Sequence, residues 1–582
     1  MDRRLGFHDL REEHTAEGDA GGSDDAGLND GVLLASERLF EESRLVQKLG
    51  PCLDEEESPE PRRDIERRNK PRTVLVDRSI YISSGYYYLQ VTRDRERREM
   101  EFEKEEEAPS SPSSMPASPG AQYFSSFALS VSILCVLEFE VPISIDDSQT
   151  FPLLKDVFLP INPRFSSIMV DDKKGARKWK RVEVNLKDHV KVPVFPKGLS
   201  PALYQDHFNN YFSKIATDQL PQNRPLWEIH IIKYPTTNAS GHIIFKLHHA
   251  LGDGYSLMGA LLSSTQRADN PSVPLTFPSR HSQSQQKENG EKVGNIFRHV
   301  GRIFSGVFDT LLDFGESIVK SGLDDDRTPI HSGTEGLEFQ PKVTTKMTFS
   351  LDQLKQIKDN LNVTINDAIV GIIYLGTRMY MKVATENNND ELGNNNTETT
   401  GLVLLNTRAI GGYKSVSEML KKNAEMPWGN RFAFLHVPVP QLTDDESSNP
   451  LDYILKTHKM IKRKRNSSAV YFTGLLLDTM RKFRGFEATS RYIKGTLEKS
   501  SITITNMIGP IEKISMANHP VSGFYYIVGG CPQSLVVTMV SYMGKLNVVF
   551  ATEKGLIDIG KYKSCIENAF QMTLKATGHA VS

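Results

Sequence analysis

Residues 242–265, HIIFKLHHALGDGYSLMGALLSST, change periodicity within one short segment. HIIFKLHH at 242–249 has the apolar content of a strand, while YSLMGALLSST places Leu257, Leu261 and Leu262 on one side of a helix. The turn between them holds Gly252 and Gly254, which give the backbone the freedom a sharp reversal needs. A strand that empties directly into a helix lays that helix back on a sheet, so the chain reads as mixed α/β.

The same alternation extends in both directions. SVSILCVLEFEV at 130–141 and PLWEIHII at 225–232 read as strands, and 151–158 and HFNNYFSKIATDQL at 207–220 as helices, with RFSSIMV at 164–170 among them. Further on, SLDQLKQIKDNL and TINDAIVGIIYLGTRMYM read as helices separated by a break near Asn362. An Asn-rich loop covers 387–396, and strands follow at 401–405, 431–439 and 501–506. LVVTMVSYMGKLNVVFATE at 535–553 reads as a hairpin about Gly544. A chain of 582 residues exceeds one ordinary core, and the pattern divides it into units at 116–265 and 336–582. A cleft between two such units is the natural place for a site.

The other two segments differ in character. Residues 1–115 carry acidic clusters at 54–57 and 101–107, a basic stretch near 62–72 and the run SPSSMPASPG at 111–120. That composition buries too little apolar surface to offset chain entropy, so disorder is expected, with TVLVDRSIYISSGYYYLQV at 73–91 as a candidate hairpin. The extension reads either as a regulatory tail or as dispensable. Residues 266–335 combine a polar linker, 266–292, with VGNIFRHVGRIFSGVFDTLLDFGESIV at 293–319, whose apolar residues recur at helical steps. Four glycines within it each cost about 1 kcal/mol relative to alanine, so this helix needs a surface to fold against. A membrane interface and the protein's own core are the two candidates.

Bulk properties exclude several classes. The formal net charge is −2 and no basic stripe with interleaved aromatics appears, so nucleic acid is not an expected partner. Cys52, Cys135, Cys531 and Cys565 lie far apart, with neither CxxC nor zinc spacing, and read as reduced thiols; no metal site is expected. No signal-type apolar run follows Met1, so secretion is not expected. FALSVSILCVL at 127–137 is shorter than the ~20 residues of a spanning helix and suits a buried strand.

The chemistry centres on HHALGDG at 248–254. At a strand end, His249 is placed to act as a general base, since a neutral imidazole titrates near working pH. Asp253, four residues on, would orient the turn or the ring by a charged hydrogen bond. The plainer reading of the pair is one satisfied buried histidine and one exposed.

HHxxxDG is the hallmark of the CoA-dependent acyltransferase superfamily. Within it the chain resembles the plant-type wax ester synthases/diacylglycerol acyltransferases, through SPGAQYF at 118–124, NPRFSSIM at 162–169, RPLWEIHII at 224–232 and KLHHALGDGYSL at 246–257. TINDAIVGI at 364–372, NTRAI at 406–410, WGNRFAF at 428–434 and TNMIGP at 505–510 continue it, so the likeness covers roughly 118–575. The resemblance implies a two-subdomain, chloramphenicol acetyltransferase-like α/β fold with a tunnel between the halves. It also implies acyl-CoA as co-substrate, a long-chain alcohol or diacylglycerol as acceptor, and no bound cofactor. In that reading His249 takes the acceptor's proton, while His248, Asp253 and Gly254 hold the loop. Asn366 and Asp367 match the family's ND motif and would position the carbonyl or stabilise an oxyanion, or cap the turn. Pro225, Leu226 and Trp227, with Asn506, Gly509 and Pro510, read as tunnel- or fold-forming. The implied location is the cytosolic face of the endoplasmic reticulum as a peripheral protein, or the plasma membrane, with 293–319 as a possible contact. Two other readings stay open: a relative using a soluble or carrier-bound acceptor, and a catalytically silent lipid-binding member. Against the first, no DFGWG or carrier domain is found.

Overall fold

The computed structural model describes residues 114–578 apart from 145–146, 173–176, 276–314, 316–317, 320–321, 389–396, 408–415, 422–423, 425–426, 444–448 and 468. The 73–91 hairpin, most of the 293–319 helix and most of the Asn-rich loop lie outside the described residues. The strands of the first half are β1 (Ser114–Pro116), β2 (Ser132–Phe139), β3 (Ser167–Asp171), β4 (Arg177–Arg181), β5 (Val190–Lys191), β6 (Trp227–Ile232), β7 (Gly241–His248) and β8 (Gln266–Arg267). Those of the second are β9 (Lys342–Ser350), β10 (Thr400–Asn406), β11 (Phe432–Pro438), β12 (Ile502–Met507), β13 (Ile514–Met516), β14 (His519–Gly529), β15 (Leu535–Tyr542) and β16 (Lys545–Glu553). They form a seven-stranded sheet, β5-β6-β7-β2-β14-β13-β8, a six-stranded sheet, β11-β10-β12-β15-β16-β9, and the small sheet β1-β4-β3.

In the larger sheet, β7 lies between β6 and β2 and runs antiparallel to both. Ile243, Phe245 and Leu247 join Phe158 and Trp227 in one core, which also takes Leu257 and Leu261 from the helix Gly254–Ser263. Ile244 belongs to a second core with Phe208 and Phe212 of the helix Pro201–Thr217. Burial on both faces explains why β7 reads as a continuous apolar run rather than an alternation.

The second sheet is mixed, with β10, β12 and β15 mutually parallel and the remaining pairs antiparallel. The helices Ile365–Asn388, Pro450–Asn466 and Ile559–Ala576 supply Ile369, Ile373, Ile454 and Ile566 to the core it shares with Val537 and Val548. The expected break at Asn362 is a left-handed C-cap, φ 52°, closing Leu351–Leu361. Met543 (φ 48°) and Gly544 (φ 72°) are both left-handed between the paired residues Tyr542 and Lys545, the conformation a two-residue hairpin turn demands.

Two features depart from the sequence reading. β13 and β14, from the 336–582 segment, pair into the larger sheet with β8 and β2, so the division at 336 does not separate the two sheets. The 266–292 segment, expected to be a linker throughout, opens as β8. The two sheets are tied by an ion pair, Lys346 Nζ of β9 to Glu138 Oε1 of β2 at 2.5 Å, with the carboxylate buried and the ammonium half-buried. Among the described residues no helix is long and apolar enough to cross a membrane.

Candidate active site

His248 ends β7 opposite Ser132, and its backbone N–H donates to the Leu226 carbonyl at 3.0 Å. Its ring is fully buried. The Ala250 N–H donates to Nδ1 at 3.2 Å, so the proton sits on Nε2, which donates to Ser130 Oγ at 3.1 Å. Burial pushes its pKa down to about 3, so the ring stays neutral and is saturated by its partners.

His249 is held differently. Its backbone N–H donates to the Val131 carbonyl at 2.8 Å, and its carbonyl accepts from Asn430 Nδ2 at 2.9 Å. Because the Asn430 NH2 is used there, its Oδ1 faces the imidazole and accepts from Nδ1–H, also at 2.9 Å. Nε2 is therefore the nitrogen with the lone pair. The ring lies against Phe124 (centroids 4.4 Å) and edge-on to Phe432 (5.4 Å). With 7% exposure, burial lowers its pKa below the usual histidine value, against the opposing pull of the Asp253 charge and the Asn430 bond. A neutral, tautomer-locked imidazole between aromatic rings is suited to taking a proton from a hydroxyl.

Asp253 begins the helix after the turn. Its Oδ1 accepts the Ser256 N–H at 3.0 Å as an N-cap, and Oδ2 accepts the Arg431 N–H at 2.9 Å. That second bond is one of a row joining 249–256 to 428–431. Trp428 Nε1 donates to the Leu251 carbonyl at 2.8 Å, and the Gly429 N–H donates to Ser256 Oγ at 3.1 Å. WGNR is thus a clamp on the HHALGDG turn. Gly120, of the short helix Pro119–Phe124, completes it: a Cβ there would stand 2.6 Å from Asn430 Cβ.

Two family models match the chain. The wax ester synthase/diacylglycerol acyltransferase catalytic domain covers residues 157–369, and the WS/DGAT C-terminal domain covers 428–573. The chain belongs to the wax ester synthase/diacylglycerol acyltransferase family. It is accordingly an acyltransferase. Wax ester synthase/diacylglycerol acyltransferase 4 of Arabidopsis thaliana is 28% identical over 472 residues, 78% of this chain and 87% of the relative. Number 8 of the same plant is 29% identical over 460 residues, 76% and 92% of the two. Among solved structures, the wax ester synthase/diacylglycerol acyltransferase from Marinobacter aquaeolei VT8 is 14% identical with a TM-score of 0.48, covering 80% of this chain and 100% of that one. The C-terminal domain of the family begins here at Trp428, the first residue of the clamp, so the turn and its clamp come one from each matched domain.

The remaining residues fall into place around this seam. Pro225, Leu226 and Trp227 are buried; Trp227 Nε1 donates to the Phe165 carbonyl at 2.9 Å, and its ring stacks on His189 at 4.1 Å. They pack the sheet, and through the Leu226 carbonyl they seat His248. Thr364, not Asp367, caps the helix Ile365–Asn388, its Oγ1 accepting the Asp367 N–H at 3.1 Å. The Asp367 carboxylate is buried and accepts from His458 Nδ1 at 2.8 Å, with Arg465 at 3.7 Å, which ties that helix to Pro450–Asn466. Asn366 is half-buried, and its Oδ1 accepts from Asn506 Nδ2 at 3.2 Å. The next residue, Met507, meets the turn: a Cβ on Gly254 would lie 2.5 Å from Met507 Sδ. Gly509 allows an equally close approach, since a Cβ would strike the Ser541 carbonyl oxygen, while Pro510 is buried beside it. Among the described residues no group of three or more His, Cys, Asp or Glu could hold a metal.

Sequence reasoning did not single out Asn430, Phe124, Phe432 or Ser130. WGNRFAF and SPGAQYF carried the family likeness, but nothing in either segment marks an amide that faces a histidine 181 positions away.

Proposed function

We propose that this acyltransferase moves a long-chain acyl group from acyl-CoA to the hydroxyl of a fatty alcohol or a diacylglycerol, with His249 as general base. The Nδ1–H bond from His249 to Asn430 is the observation that carries the proposal, because it leaves Nε2 as a proton acceptor in a water-poor setting. Nε2 takes the hydroxyl proton as the oxygen attacks the thioester carbonyl. The tetrahedral oxyanion collapses, the C–S bond breaks, and the departing CoA thiolate recovers the proton from the imidazolium. Ester and CoA are the products, without an acyl-enzyme. Asn366, turned by Asn506 so that its NH2 is available, is the donor we assign to the oxyanion. His248 and Asp253 hold the turn and take no proton. The relatives' names support the pair of acceptors, and lipid acceptors in turn support a peripheral location on the cytosolic face of the endoplasmic reticulum, or on the plasma membrane.

Purified protein incubated with palmitoyl-CoA and, in separate reactions, hexadecanol or dioleoylglycerol tests the acceptor class by ester formation. Wax ester or triacylglycerol is the expected product. Turnover of a soluble phenolic alcohol with neither lipid acceptor used would contradict the assignment.

A further inference from the structure

The helix Ala469–Glu498 does not run straight: Gly485 adopts φ 79°, ψ 173° and breaks it into two arms. The elbow reads Arg481-Lys482-Phe483-Arg484-Gly485, and Phe483 is 84% exposed there. Lys482 and Arg484, on either side of it, are exposed as well. Just past the elbow, Glu487 Oε1 accepts the backbone N–H of Phe127 at 3.3 Å, and Phe127 is 99% exposed. Phe483 therefore stands in water between two exposed cations, and Phe127 stands in water where Glu487 holds its backbone, two residues past the break. Burying a phenylalanine side chain is worth about 1.5–3 kcal/mol, which each of these two exposed rings can contribute to a partner that covers the elbow.

The second arm leads back to the site. Ser490 Oγ donates to the Tyr123 carbonyl at 3.1 Å, and the adjacent Phe124 is the ring against His249. We propose that the elbow, with Phe127 and Phe483 as inserted aromatics and Lys482 and Arg484 as headgroup contacts, docks the protein on an anionic lipid bilayer. An exposed aromatic flanked by cations, with a second exposed ring nearby, complements such an interface, where rings enter the headgroup region and each cation near the surface favours binding about fivefold. The choice of a bilayer over another partner rests on the lipid acceptors assigned above, which would reach His249 from the membrane side of this arm.

Flotation of the full chain with phosphatidylcholine vesicles, with and without phosphatidylserine, tests this without any turnover. Wild type floats with the anionic vesicles and releases as salt rises. Lys482→Gln with Arg484→Gln binds about thirtyfold more weakly, and Phe127→Ser with Phe483→Ser loses about tenfold or more. Unfolding midpoints at the wild-type value show that the variants remain folded. Unchanged flotation of both double variants overturns the elbow, whatever other segment holds the chain there, and equal binding to neutral vesicles overturns the role of charge. Vesicle binding by a chain that makes no ester leaves the surface standing and removes the acceptor assignment instead.

Discussion

Replacing Asn430 by alanine removes two 2.9 Å hydrogen bonds at once, one to the His249 ring and one to its carbonyl. Each is worth about 1 kcal/mol net, and a buried partner left unpaired costs about 1–3 kcal/mol. The ring is then free to place its proton on Nε2, and that tautomer cannot accept another. A loss of about 1.5–3 kcal/mol at the transition state corresponds to kcat lower by about 10- to 100-fold, with KM for acyl-CoA much less affected. Following CoA thiol release with palmitoyl-CoA and hexadecanol across a pH series reads both constants. In the wild type the acid limb lies below the ordinary histidine value, because burial disfavours the imidazolium. Asn430→Asp keeps an acceptor for Nδ1–H and adds a negative charge, so its acid limb moves upward and activity is lost at a higher pH than in wild type. A kcat for Asn430→Ala within about twofold of wild type, with an unshifted profile for Asn430→Asp, refutes the positioning role.

Three further outcomes follow from the packing. Gly254→Ala drives a methyl into Met507 and should destabilise by about 1–3 kcal/mol in denaturant titration, with part restored by Met507→Ala in the same chain. Lys346→Met strands the Glu138 carboxylate between the sheets at about 3 kcal/mol, and adding Glu138→Gln should recover most of that. His242 and His248 are held neutral with pKa values lowered to about 3, so the unfolded chain binds protons that the folded one refuses once pH drops below about 6.5. Stability is full above that pH and falls on acidification, by about 2 kcal/mol per ring at about pH 5, which calorimetry across the range would show.

What could be read in advance divides along the range of the interactions. β7, the glycine turn and the helix behind it were legible because one local pattern specifies all three, and the same holds for the Met543–Gly544 hairpin. β14 was not legible as a strand, because Pro520 and Gly523 interrupt its pattern, and the sheet it joins is decided by its distant pairing with β2. Asp367 illustrates the same limit: its position in the first helical turn suggested a cap, whereas a histidine on another helix, 91 residues on, decides what the carboxylate does. At the site, His249 could be named from its neighbours in sequence. The tautomer that suits it to the proposed role of base depends on Asn430, and that contact exists only once the two matched domains are folded together.

Ester formation by His249→Ala is the direct test of the mechanism. With palmitoyl-CoA and hexadecanol or dioleoylglycerol, the wild type should make ester while His249→Ala falls by at least about 100-fold, the scale of a positioned general base, with its unfolding midpoint still that of a folded protein. Ester production by folded His249→Ala at the wild-type rate would contradict the account.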